Sequence, residues 1–84
     1  MTYKLIIKPK VIKALEKINE PDYGSIKAAI LRLADNPRPH GCKKLKDREG
    51  YRIRIGDYRV IYNIHDNILT VNVLADGHRK DVYE

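Results

Sequence analysis

The chain has 84 residues and a formal net charge of +6 at pH 7, from 17 Lys and Arg against 11 Asp and Glu. A chain of this length makes one domain, residues 1–84, with a modest core, and its basic excess favours nucleic acid, an anionic surface or an acidic protein as partner while saying nothing about fold. The single cysteine, Cys42, excludes an intramolecular disulfide, no apolar run reaches the length of a membrane helix, and the N-terminus lacks the apolar region of a signal peptide, so a soluble cytoplasmic protein is expected.

The first element is a strand over Tyr3–Lys8, with Tyr3, Leu5 and Ile7 alternating onto one face. Pro9 suits the first turn of a helix, and Val11, Ala14, Leu15 and Ile18 follow the spacing of one apolar helical stripe. Asn19-Glu20-Pro21-Asp22 breaks that helix. Ile26, Ala29, Ile30 and Leu33 repeat the same spacing in a second helix, which must stop before Asn36-Pro37 because the residue ahead of a proline is pushed out of the α region. From Asn36 to Gly50 the chain reads as a loop carrying Arg38, Lys43, Lys44, Lys46 and Arg48. Singly these are ordinary solvated charges; as a cluster they suit a phosphate backbone.

Three further strands are predicted, Tyr51–Ile55, Tyr58–Ile64 and Leu69–Leu74. Gly56-Asp57 makes a tight hairpin between the first two, and His65-Asp66-Asn67 turns into the third. The order β-α-α-β-β-β is that of an α+β domain, a small, mostly antiparallel sheet with a helical hairpin packed on one face.

The hairpin GYRIRIGDYRVIYNI carries the sharpest signal. With Gly56-Asp57 as its loop, Ile55 faces Tyr58, Arg54 faces Arg59 and Arg52 faces Ile61, so Ile53, Ile55, Tyr58, Val60, Tyr62 and Ile64 share an apolar face. Arg52, Arg54 and Arg59 share the opposite one. Like charges set directly opposite on a hairpin are destabilising, so the fold gains nothing from placing Arg54 against Arg59, whereas a bound polyanion would offset the cost. Beyond the last strand, Asp76-Gly77-His78-Arg79-Lys80-Asp81-Val82-Tyr83 reads as a turn at Gly77 followed by a fourth arginine, a histidine suited to proton transfer near neutrality and a tyrosine able to stack on a base.

The run YRIRIGDYRVIY, followed after one strand by GHRKDVY, resembles the RelE group of the RelE/ParE toxins of toxin–antitoxin pairs, and the resemblance extends over nearly the whole chain. It implies a metal-independent, cofactor-free endoribonuclease that cleaves mRNA in the ribosomal A site and halts translation. It also implies a RelB-like antitoxin as partner, with promoter DNA bound only by the toxin–antitoxin complex. Carried over residue by residue, it implies catalytic roles for Arg52, Arg54, Arg59, Arg79 and Tyr83; the basic cluster of the loop separately predicts RNA or ribosome contacts from Lys43, Lys44, Lys46 and Arg48. The family's best-known member has lysines where this chain has Arg52 and Arg54. Arginine is effectively never deprotonated, so these two bind phosphate and stabilise charge, and proton movement is left to His78 or Tyr83. Two rivals stand beside this reading: a ParE-like inhibitor of DNA gyrase on the same fold, and a nucleic-acid-binding module that does not cleave. His40 and His65 lie in a loop and a turn, and no metal-ligand spacing is present.

Overall fold

The computed structural model describes residues 2–46 and 48–78. The elements in chain order are β1 (Lys4–Ile7), α1 (Pro9–Glu16), α2 (Asp22–Arg32), β2 (Lys43–Lys44), β3 (Tyr51–Ile55), β4 (Tyr58–His65) and β5 (Thr70–His78), with a 3-10 turn at Asp66–Ile68 between β4 and β5. The α+β architecture expected from the sequence is present. Its sheet has five strands in the order β1-β5-β4-β3-β2. All neighbours are antiparallel except β1 and β5, which pair in parallel.

Both helices cover one face of this sheet. Val11 and Leu15 of α1, Ile26 and Ile30 of α2, and Leu33 just beyond α2 are buried against Ile53, Val60, Tyr62, Val71 and Val73. These are the positions that helical and strand periodicity single out, and each fully buried aliphatic side chain contributes about 1.5–3 kcal/mol. Gly56, at φ +60°, supplies the left-handed residue that the tight hairpin between β3 and β4 requires. Among the described residues no helix is long and apolar enough to cross a membrane.

Two expectations are corrected. The stretch 36–50 is not all loop. Lys43 and Lys44 form the edge strand β2, pairing with Arg52 and Tyr51. A two-residue strand has no periodicity to read; it forms because β3 offers an unpaired edge and because the chain is turned back by Leu45, whose N–H donates to the Gly50 carbonyl at 2.9 Å. Gly50 is needed there. It sits at φ +131°, and a Cβ would come within 3.1 Å of the Tyr62 carbonyl oxygen and 3.2 Å of Leu45 Cδ1. The second correction concerns the C-terminal strand, which continues through Asp76 and Gly77 to His78 instead of turning at Gly77. β4 is long enough to pair with all of it, Arg59 lying opposite Gly77 and Tyr58 opposite His78.

Between these stretches the ladder shifts. Ile61 pairs with Ala75 but Tyr62 pairs with Val73, leaving Leu74 as an extra residue in β5. An inserted residue reverses which face the following side chains take. Val71 and Val73 point into the core, while Ala75 and Gly77 come to the face away from the helices.

The loop after α2 is tied down by side chains. The Tyr62 hydroxyl, inside the core, donates to the Pro37 carbonyl at 2.7 Å. Arg38 pairs with Asp66 across 2.8 Å, and Tyr3 donates to Asp66 at 2.7 Å. The Arg38 guanidinium also lies 5.4 Å from the centroid of the Tyr51 ring. Arg38 therefore straps this loop to the β4–β5 turn. The guanidinium of Arg38 first, then the Tyr3 hydroxyl, pulls the Asp66 carboxyl down to about 2. Its folded-state value lies below its unfolded value, so the strap's contribution is present above about pH 4 and is lost as pH falls toward 2. Asp66→Asn is expected to flatten the acid limb of a thermal-stability profile between those values. A profile identical to wild type would remove the strap from the account.

Candidate nucleic-acid interface

The face away from the helices is organised by the hairpin. Ile53, Val60 and Tyr62 are fixed in the core, so the residues alternating with them, Arg52, Arg54, Arg59 and Ile61, take the other face. The observed register sets Arg54 directly opposite Arg59 and Arg52 opposite Ile61. Directly opposed Cβ atoms in such a pair are about 5 Å apart. β2 adds Lys43 opposite Arg52. Two cross-strand rows result: Lys43, Arg52, Ile61 and Ala75 in one, Arg54, Arg59 and Gly77 in the next.

The rows differ from a plain solvated surface. Ile61 is fully buried although it lies outside the helix-side core, so it makes an apolar floor between the cationic side chains. Arg52 and Arg59 are half-buried, with their Nε atoms shut off from solvent, whereas Arg54 is exposed. A charge held over an apolar floor interacts more strongly with an anion than one free in water. Gly77, next to Arg59 in the row, has no side chain to block an incoming group.

The other expected site residues divide. Lys43 joins the arginine rows. Lys44 pairs with Tyr51, and alternation along β2 turns it to the opposite face from Lys43. Lys46 and Arg48 are exposed in the connection to β3. The backbone of His78 pairs with that of Tyr58, one position past the Gly77–Arg59 pair; its side chain, Arg79 and Tyr83 lie outside the described residues. No group of His, Cys, Asp or Glu among the described residues is arranged to hold a metal ion.

Sequence reasoning counts Lys43 among the RNA contacts but leaves it in a loop; only pairing with β3 sets it beside Arg52. Asp76 was placed in a turn. It is in β5, opposite Val60 on the helix face, beside Lys10, Val11 and Ala14 of α1. Its Oδ2 is shut off from solvent with no hydrogen-bond partner among the described residues, and burial pushes its carboxyl up to about 6. The folded state therefore holds a proton that the unfolded chain releases near pH 4, so stability falls as pH rises from about 4 to about 6 and stays lower above. Asp76→Asn is expected to raise stability at pH 7.5 by about 1 kcal/mol, a value reduced from the full shift because the residue is only partly buried. At pH 4 it should change little. Equal effects at the two pH values would contradict the assignment, and denaturant melts at each pH measure both.

The description "ParE toxin of type II toxin-antitoxin system, parDE" belongs to the family that matches residues 5–83 of this chain. Among solved structures, the fold is similar to the archaeal RelE–RelB complex from Pyrococcus horikoshii OT3, with TM-score 0.81 and 27% identity over 98% of this chain and 100% of that one. It is also similar to the toxin–antitoxin complex RelBE2 from Mycobacterium tuberculosis, with TM-score 0.79 and 25% identity over 94% and 100%. The isolated E. coli RelE toxin shares the fold at TM-score 0.76 and 22% identity over 90% and 83%. No curated protein matches the sequence significantly.

Proposed function

This chain belongs to the ParE toxin family of type II toxin–antitoxin systems, within the RelE/ParE superfamily to which its resemblance pointed, and on that footing we propose that it is a ribosome-dependent endoribonuclease that cleaves mRNA in the A site. The observation that carries the reading is the register of Arg54 opposite Arg59, with Lys43 and Arg52 in the adjoining row. That arrangement costs the fold stability and is matched to a phosphate in a strand of RNA.

In the proposed reaction the 2′-hydroxyl of one nucleotide attacks its own 3′-phosphate. A bond forms between O2′ and phosphorus, the bond from phosphorus to the next nucleotide's O5′ breaks, and a 2′,3′-cyclic phosphate is left. One proton leaves the 2′-hydroxyl and one is delivered to O5′. Arg54 and Arg59, with Arg79, hold the phosphate and stabilise the extra negative charge of the phosphorane, the task that prearranged donors do best in a partly dehydrated site. The planar guanidinium fork suits two phosphate oxygens at once. None of the arginines can serve as the base, so His78 or Tyr83 is assigned to proton movement or to orienting the RNA. The reaction as proposed uses no metal and no cofactor.

The partner proposed is a RelB-like antitoxin. The Pyrococcus and Mycobacterium proteins occur in complexes with theirs, and a net charge of +6 suits an acidic, wrapping chain. Promoter DNA would be bound only by the pair, and the toxin would act in the cytoplasm.

A second reading has its own support. The family description is that of ParE, which favours inhibition of DNA gyrase on the same fold. Primer extension on mRNA held in programmed ribosomes, run beside the same mRNA free in solution, separates the two. Cleavage at the A-site codon on ribosomes supports the ribonuclease. No cleavage, together with loss of supercoiling in a gyrase assay, supports the inhibitor. Salt-sensitive RNA binding with neither activity would leave a non-cleaving module.

A further inference from the structure

Beside the arginine rows lies a groove that the cleavage reading has not used. β2 ends at Lys43. Continued backwards in register, it would set Cys42 against Ile53 and Gly41 against Arg54, but Gly41 at φ +90° and a turn in which the Cys42 N–H donates to the Pro39 carbonyl at 3.0 Å carry the chain away. The outer edge of β3 is therefore left open. α2 runs alongside it with Gly24, Ser25 and Ala28, residues too small to close the gap, and a groove of roughly 730 Å3 remains, bordered also by Arg32, His40 and Arg54. Its size falls within the range of small-ligand sites, about 300–1,000 Å3.

Its floor is apolar, with Ile53, Ile55 and Ala29, and its polar groups sit at the rim. In a two-residue hairpin the closing pair, here Ile55 and Tyr58, exchanges both backbone hydrogen bonds, so the N–H and C=O of Arg54 point away from β4 toward the groove. Arg32, in the last turn of α2, adds a second guanidinium. The one acidic residue at the groove, Glu20, accepts the Gly24 N–H through Oε1 at 2.7 Å, so that carboxylate oxygen is already engaged by the first turn of α2. His40 is exposed and offers a planar ring to a base, as aromatic side chains do in single-stranded RNA recognition. Arg54 belongs both to this groove and to the row it shares with Arg59, so a strand bound at one reaches the other.

We propose that the groove between α2 and the open edge of β3 is a nucleotide subsite, which takes the nucleotide next to the scissile phosphate, with Arg32 on its phosphate and His40 against its base. The inference rests on the cleavage reading and extends it from one phosphate to the neighbouring residue of the same strand. His40, a loop residue without a role in the sequence reading, becomes a specificity-determining contact.

The test uses the whole purified chain labelled with 15N and a trinucleotide RNA carrying 2′-O-methyl groups, which cannot be cleaved. The backbone amides of Gly24, Ser25 and Ala28 report on the groove, and those of Arg52 and Arg59 on the arginine rows. Both sets are expected to shift. His40→Ala and Arg32→Ala should each weaken binding at least about fivefold, the lower end of what stacking on one base is worth. Ser25→Trp, which fills the groove from the α2 side and leaves Arg52 and Arg59 in place, should abolish the α2 shifts and keep those at Arg52 and Arg59. Shifts confined to Arg52 and Arg59, with wild-type affinity in all three variants, would overturn the subsite and leave the cleavage reading standing. If RNA moves neither set, the subsite is overturned, and the cleavage reading is decided separately by primer extension on programmed ribosomes. If RNA leaves the α2 amides unmoved and a RelB-type antitoxin peptide shifts them, the groove is a protein-docking edge and the subsite is overturned.

Discussion

Arg59→Ala is expected to lower the rate of A-site cleavage by about 10²–10³-fold, the usual cost of removing one prearranged donor from a developing negative charge. Arg59 is closely constrained. Arg54 faces it on one side and Gly77 on the other, its Nε is shut off from solvent, and its strand is held in the core through Val60 and Tyr62. An arginine so fixed pays little reorganisation when the phosphorane forms. Arg59→Lys restores the charge but not the fork, and should recover only part of the loss. Circular dichroism on the same preparations guards against a folding defect, since the part-buried stem of Arg59 contributes packing as well as charge. An Arg59→Ala protein that cleaves at the wild-type rate would detach Arg59 from catalysis, while the ribonuclease reading itself would stand on the cleavage observed.

The second large effect is on stability. Tyr62 is fully buried, stacks on Tyr51 with ring centroids 6.0 Å apart and donates its hydroxyl to Pro37 at 2.7 Å. Burial is the main reason its phenol is pushed up, so it remains a protonated donor throughout the neutral range. Tyr62→Ala should cost about 3–5 kcal/mol, by lost transfer energy and the cavity left behind. Small domains are stable by only about 5–15 kcal/mol, and for a chain of this size the melting temperature should drop by about 15 °C or more. Tyr62→Phe keeps the ring and removes only the bond to Pro37, at a cost of about 1–2 kcal/mol because that carbonyl is then left unpaired. Its effect should concentrate in the loop that leads to β2, seen as faster hydrogen exchange at the Leu45 amide while the β4–β5 ladder stays protected. Uniform loss of protection across the sheet would show that the hydroxyl has no special hold on this loop. The variant also links fold to site, because Lys43 stands beside Arg52 only while β2 is held against β3.

The sequence by itself determined the helical stripes, the apolar face of the hairpin and the opposition of Arg54 to Arg59. The reason is that each of these depends on local spacing. A period of 3.6 put Val11 with Leu15 and Ile26 with Ile30, a period of 2 separated Ile53 from Arg52 and Arg54, and a two-residue turn at Gly56-Asp57 counted the register from the hairpin end. The resemblance of YRIRIGDYRVIY and GHRKDVY to RelE added the superfamily that the comparisons bear out. Tertiary structure alone decided what depends on strands distant in the chain. The parallel pairing of β1 with β5, the short strand that brings Lys43 to Arg52, and the open edge beside α2 leave no trace in any local period. The extra residue at Leu74 is a further case. Simple alternation from Val71 and Val73 would send Ala75 and Gly77 into the core; the bulge reverses the count, sets Gly77 beside Arg59 and turns Asp76 toward α1. A local pattern specifies which side of its own element a residue takes. Which elements meet, and in what register, is chosen by the free energy of closing the whole core, and that sum is not contained in any one segment.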